Sequence, residues 1–229
     1  QTSLNGSTMN LYRGDHSVAY DTHVSEHNDK TVLTIRPSEP FIPVTDYELV
    51  LGYGIEDMLG NPMQAEIIGN IQTNQFEYND INIIDNFDNI NNWWQPSGSG
   101  STIGVLAGTE FSTSSSFYLP GTSPQRSARL SYVWDLGSAD HLLREYLSGG
   151  PPREVYFNSG FILQCYIYGD GSYNLFRFCV DDHVPDAAAA YHEVSEWFLI
   201  DWIGWKLVEW DLGTDPVGTW IGNGLLEGT

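Results

Sequence analysis

Residues 161–181, FILQCYIYGDGSYNLFRFCVD, place two aromatic-rich apolar runs, 161–168 and 175–180, on either side of Gly169-Asp170-Gly171-Ser172-Tyr173-Asn174. Glycine tolerates the positive φ of a tight turn, and Asp, Ser and Asn bond their own backbone there, so the pattern predicts an antiparallel hairpin. With the turn centred near Gly171 and Ser172, the register sets Tyr168 near Phe176, Tyr166 near Phe178 and Cys165 opposite Cys179. Two readings of the facing cysteines stand open, an oxidised disulfide and a pair of buried free thiols.

Downstream, 197–212 (WFLIDWIGWKLVEWDL) repeats the texture, with branched and aromatic residues suited to a pleated surface and one glycine, Gly204, where a strand can bend. Trp134, Trp202, Trp205 and Trp210 sit in alternating patterns and read as core, Trp202 and Trp205 foremost. Upstream, 128–134 alternates Leu130, Tyr132 and Trp134, with shorter strands expected at 82–88, 104–107 and 116–119. Residues 138–146 (SADHLLREY) predict a turn or two of helix, capped by Ser138 or Asp140, with Leu142, Leu143 and Tyr146 at helical spacing. The alanine run 187–190 reads as a short helix or an insertion loop.

Nearer the N-terminus the alternation is regular. Residues 31–37 form a strand closed by Pro37, and 47–53 carry Tyr47, Leu49, Leu51 and Tyr53 on one face. Tyr47 follows a Pro-containing corner, where a hydroxyl bonded to the loop backbone is expected. Asp57 with Gly60-Asn61 predicts a tight turn, and a last strand spans 67–73. A short polar bridge, 74–80, then divides the chain into expected domains 1–75 and 76–229.

The 229 residues, 41% hydrophobic and 14% aromatic, suffice for buried cores. Nine basic against thirty acidic residues give a net charge of −21, which disfavours nucleic acid and anionic membrane surfaces and leaves neutral glycans, cations and basic proteins as partners. No apolar run reaches the length of a membrane helix, so no membrane insertion is expected. His192-Glu193 begins like a zinc-hydrolase motif, but Glu196 stands where the second histidine is required. With thirty carboxylates, pairs such as Asp181-Asp182 or Glu193 and Glu196 arise by chance and define no glycosidase dyad. The chain reads as non-catalytic.

GDGSYN (169–174), Asp181 and IDWIGWK (200–206) resemble the C-terminal half of the galactose-binding-like jelly-roll modules attached to secreted bacterial glycan-active and cell-surface proteins. The earlier series of strand, proline corner, Tyr-led strand, D-x-x-G-N turn and terminal strand resembles bacterial Ig-like domains of S-layer and other surface proteins. Together the resemblances imply an all-β chain, an Ig-like β-sandwich followed by a galactose-binding-like jelly roll, in an extracellular, secreted or cell-surface protein. They imply a non-catalytic module that binds polysaccharide through the second domain, with the first as spacer. Flat rings stack on sugar C–H faces, and Trp93 and Trp94 beside a Ser/Gly loop, Tyr173 at the turn tip and Trp220 are the candidate platform.

Modules of this type often hold a structural calcium, for which Asp170, Ser172 and Asn174 alternate as oxygen donors and Asp85 and Asp88 form a second group. Against this stands a turn whose side chains satisfy its own backbone. The alternative function is a structural or adhesive subunit assembling with copies of itself. Its basis is that the first domain is expected to lack its opening strand and the second its closing one, and open sheet edges invite strand exchange.

Overall fold

The computed structural model describes residues 8–57, 59–74, 80–96, 102–147, 157–182 and 191–226. Among these the chain is all-β, without a helix, and builds several antiparallel sheets consistent with a β-sandwich. It divides into two units. The first comprises Gln1–Glu26, Leu33–Ile83 and Tyr118–Gln125, and the second His27–Val32, Ile84–Phe117 and Arg126–Thr229.

In the first unit, β1 (Met9–Arg13), β2 (His16–Ser17), β5 (Asp46–Leu51) and β6 (Ile67–Gln72) form a four-stranded sheet in the order β2-β1-β5-β6, while β3 (Tyr20–His27) and β4 (Lys30–Pro37) form a hairpin whose tip is counted in the second unit. The register pairs Leu11 with Leu49 and Met9 with Leu51, so strand alternation puts Met9, Leu11, Tyr47, Leu49 and Leu51 on one face. Met9, Leu11 and Tyr47 are buried there. Tyr47 does what its position after the corner predicts: its Oη accepts a hydrogen bond from the Ile42 amide at 2.9 Å, and its ring packs on Phe41. The D-x-x-G-N turn is likewise formed, with Asp57 Oδ1 accepting from the Leu59 and Asn61 amides and Oδ2 from the Asn61 side chain. These bonds hold the exposed Asp57 carboxyl below its usual range, the Asn61 side chain contributing most.

In the second unit, β7 (Trp93–Trp94) pairs with β10 (Tyr146–Leu147), and β8 (Glu110–Ser114) with β9 (Ser127–Ser131). Its longest ladder joins β11 (Ile162–Asp170) to β16 (Ile203–Asp211), from Ile162 opposite Asp211 to Asp170 opposite Ile203. β12 (Leu175–Phe176) pairs with β15 (Phe198–Leu199), and β13 (Cys179–Asp182), β14 (Tyr191–Ser195) and β17 (Val217–Gly218) form a three-stranded sheet.

The expected hairpin over 161–180 is therefore corrected: the first run is strand β11 and the second is split into β12 and the start of β13 by Arg177-Phe178, and they do not pair with each other. Gly171 N–H bonds Trp202 O, Tyr173 N–H bonds Ile200 O and Ile200 N–H bonds Asn174 O, so the turn is stitched to 200–202 instead of closing on itself. Cys165 lies opposite Val208 and Cys179 opposite Val194, and both are free thiols.

Three further expectations change. Residues 138–146 form no helix, because Leu142 exchanges both backbone bonds with Ile103, at 2.8 and 2.9 Å. The segment 82–88 is not a strand; Asp85 and Asn86 side chains take the amides of Phe87 and Asp88, the local bonding that competes with a ladder. Strands expected at 104–107 and 116–119 are replaced by β8, with Val105 making an isolated bridge to Trp134. The alanine run 187–190 lies outside the described residues.

The core indole is Trp210, 1% exposed, on the face of β16 shared with Val208 and next to Leu212. Trp205, on the opposite face, is half-buried edge-on against its cross-strand partner Tyr168. Trp202, also half-buried, folds over Gly169, where a Cβ would sit 2.6 Å from its Nε1.

Candidate functional site

The structure disperses the predicted platform. Trp93 is turned inward, its indole N–H donating to Asp85 Oδ2 at 3.0 Å and its ring between Phe87 and Phe111, at 5.5 and 5.4 Å. Tyr173 stands open at the 169–174 turn with φ +60°. Trp94 and Trp220, by contrast, join one cluster with residues the sequence had not linked to them.

That cluster is a row of alternating rings and guanidinium groups. Trp94 packs on Tyr146 at 5.6 Å, as their pairing across β7 and β10 requires. The Arg144 guanidinium lies over both Tyr146, at 5.4 Å, and Trp220, at 5.1 Å, and its Nη1 donates to Tyr146 Oη. Arg177 lies over the other rings, 5.0 Å from Trp220 and 4.2 Å from Trp197, and its Nη1 donates to Thr219 O. The sequence Trp94, Tyr146, Arg144, Trp220, Arg177, Trp197 is thus continuous, and its end indoles are 47% and 45% exposed. A cation held over an indole face is worth about 0.5–2 kcal/mol, increasing as the pair is desolvated.

Local chain geometry explains why these groups meet. Arg177 follows β12 and precedes Phe178, whose amide is fixed to Ser195 Oγ, so Arg177 projects beside Trp197 just after β14. Trp220 follows β17 on a segment pinned from below by Glu193. That carboxylate is 1% exposed and accepts from the amides of Asn223, at 2.6 Å, and Gly224. A methyl at Gly222 would collide with the same carboxylate, so the close approach requires glycine.

Around the row, burial raises the Tyr146 phenol above its usual range and pushes the Cys179 thiol, bonded to that phenol, up to about 11. Burial also lowers Arg177, with the Arg144 charge adding to it and Cys179 and Glu196 opposing. His192 stacks on Tyr146 at 5.7 Å, and its Nδ1 lies 3.4 Å from Asp181 Oδ1 without hydrogen-bond geometry. The indole N–H of Trp220 is enclosed and has no acceptor.

Four of the five proposed calcium donors, Asp170, Ser172, Asn174 and Asp85, already accept hydrogen bonds through a side-chain oxygen. Asp170 Oδ1 accepts from the Ser172 amide and Ser172 Oγ from the Asn174 amide. Asn174 Oδ1 faces Trp134 Nε1 and its Nδ2 donates to Tyr132. Both Asp85 oxygens serve N–H donors, of Phe87 and Trp93. Lone pairs aimed at N–H groups fit a cation cage poorly, and no group of three or more His, Cys, Asp or Glu side chains suited to a metal occurs among the described residues.

Sequence reasoning missed Arg144, Arg177 and Trp197. Arg144 fell in a segment read as helix and Trp197 in one read as strand, and nothing in their spacing signals that they converge.

What fold and site define is an all-β chain with an arginine–tryptophan row on its second unit. Comparison with protein-family models, with curated proteins and with solved structures finds no match.

Proposed function

We propose that the chain is a non-catalytic, extracellular module that binds polysaccharide through the Trp94–Trp197 row, its first unit an Ig-like spacer and its second a jelly roll. The observation that carries this reading is the pair of half-open indoles at the ends of a row whose middle is fixed by two guanidinium groups. Sugar recognition needs apolar faces for C–H surfaces beside rigid hydrogen-bond donors for hydroxyls, and pre-positioned donors spare the ligand the cost of ordering them. Affinity electrophoresis of the whole chain through gels containing a panel of polysaccharides tests it. At least one polysaccharide should retard the protein, and Trp94→Ala and Trp197→Ala should each weaken that binding by about tenfold or more. A protein retarded by none of them, or variants that migrate like the parent, would refute it.

A second reading, self-assembly through sheet edges, is favoured by β6. This strand is the last in its sheet and leaves Ile67, Ile68 and Ile71 exposed, with no charged residue along Ile67–Gln72. An uncharged apolar edge with unpaired backbone groups is a template for another strand.

A further inference from the structure

We propose that β6 is the contact between two copies of this chain, which join edge to edge as an antiparallel, two-fold symmetric pair centred on Gly69. This rests on the self-assembly reading and narrows it from an open edge to a closed dimer in one register.

The backbone determines which groups are on offer. Between β1 and β5 the Gly52 amide bonds Thr8 O, and between β5 and β6 the Thr73 amide bonds Thr45 O. Bonded and non-bonded pairs alternate along an antiparallel ladder. Counting in twos from either bond gives the same result: Tyr47, Leu49 and Leu51 bond towards Ile71, Gly69 and Ile67, while Glu48 and Val50 bond towards β1. Ile68, Asn70 and Gln72 therefore turn their N–H and C=O groups away from β5, and among the described residues no strand takes them.

The side chains select the occupant. Ile67, Gly69 and Ile71 share the face of Tyr47, Leu49 and Leu51, yet Ile67 is 55% and Ile71 37% exposed where Tyr47 is buried. The apolar layer thus reaches the edge uncovered. A two-fold axis sets residue i opposite j and j opposite i on one face, so opposed residues are an even number of positions apart. Centred on Gly69, the pairing sets Ile67 opposite Ile71 of the second copy, twice, on the apolar face. It also sets Ile68 opposite Asn70, both of which offer unpaired backbone groups. The two glycines meet at the axis and leave room for four isoleucines to close over them. Centring on Asn70 would oppose Ile71 to Gly69 and Ile68 to Gln72, matching no apolar pair.

A second copy brings another net charge of −21, and β6 carries no charged residue with which to repel it. Glu66, just before the strand, falls opposite Gln72, and the two Glu66 side chains stand about 20 Å apart along the strands. Asp46 and Glu48 on β5 remain three strand spacings, about 14 Å, from their symmetry mates. Both separations exceed the screening length of about 8 Å at physiological ionic strength.

Sedimentation equilibrium of the whole chain from about 5 to about 500 µM, a range suited to a contact at the small end of specific interfaces, tests the pair. The expected result is a monomer–dimer equilibrium with no larger species. Asn70→Pro deletes an N–H that faces away from β5, so it should weaken the dimer about tenfold or more with the melting temperature unchanged. Cysteines read the register. A Cβ at Gly69 meets only Leu49, at 3.9 and 4.0 Å. Opposed non-bonded residues have Cα atoms about 4.5 Å apart, so Gly69→Cys should form an intermolecular disulfide under copper–phenanthroline oxidation where the parent chain forms none. That linkage is read independently, so it stands if Asn70→Pro fails to fold. Growth beyond the dimer, or linkage through Asn70→Cys in place of Gly69→Cys, overturns the closed pair and leaves edge assembly intact. A chain that stays monomeric throughout, or a dimer that Asn70→Pro leaves as tight as the parent, overturns both.

Discussion

A carboxylate as enclosed as Glu193 persists only when its lone pairs are claimed, and here the claimants are the Asn223 and Gly224 amides of the segment that follows Trp220. Replacing Glu193 with Gln keeps the shape but removes the charge that strengthens those bonds, at a cost of about 1.5–3 kcal/mol. Urea denaturation should show that loss as a lowered midpoint, with accelerated amide exchange at 222–224; an unchanged midpoint would remove Glu193 as the anchor. The cysteines give a pH prediction. Burial raises both Cys165 and Cys179 from an ordinary value of 9.0 to about 11. The folded state therefore favours the neutral thiol, a contribution fully present below pH 9 and lost as pH climbs from 9 through 11. A thiol-specific chromogenic reagent at pH 8 should label the folded protein far more slowly than the urea-unfolded chain, and thermal stability should drop across that alkaline window. Rapid labelling of both folded thiols at pH 8 would contradict it. Tyr47 shows what single residues disclose: its partner, Ile42, is five positions away, and contacts that local can be inferred from composition and spacing. The choice between Trp205 and Trp210 for the core could not, because both lie on one strand and only the register decides which face is covered.

At the level of elements, strand content was legible and strand pairing was not. Most of 161–168 and 175–180 does lie in strands, since side-chain pattern fixes that, but β11 is paired along a long ladder with β16 whose partners lie 33 to 49 positions apart in the chain. Glycine and Asx residues between two strands signal a turn, yet they cannot say whether its amides bond across it or, as Gly171 and Tyr173 do, to another segment. The SADHLLREY segment failed as a helix for a related reason: its spacing was helical, and pairing with Ile103 prevailed over a weak local propensity. The edge strand β6 carries the element-scale prediction. Ile68 lies opposite Val50 and is more than half exposed, so a charge there meets water in the isolated chain but obstructs an added strand. If β6 is an assembly edge, light scattering should show concentration-dependent oligomers that Ile68→Lys abolishes with the melting temperature unchanged. A parent chain that stays monomeric as it is concentrated refutes the self-assembly reading.

At the level of the molecule, the candidate site was only partly readable, because its residues come from 94, 144–146, 177, 197 and 220 and are joined by strand order alone. Composition identified the aromatic side of it, and the arginines were invisible amid an acidic sequence. That acidity makes the last prediction one about the whole chain. With thirty acidic residues against nine basic ones, the excess negative charge repels itself more in the compact state than in the expanded one, so low salt should destabilise the fold. The Debye length shrinks from about 30 Å at 0.01 M to about 8 Å at 0.15 M, enough to screen repulsion across the surface while sparing buried pairs. Raising sodium chloride over that range should therefore raise Tm, each kcal/mol of relief appearing as about 2–4 °C for a chain of this length. Calcium and magnesium chlorides at equal concentration should raise it equally, since both act as divalent screening ions and the oxygens of Asp85, Asp170 and Ser172 are already bonded to N–H groups. A rise produced by calcium and not by magnesium would mean that a specific oxygen cage forms after all, with those N–H bonds giving way to the ion.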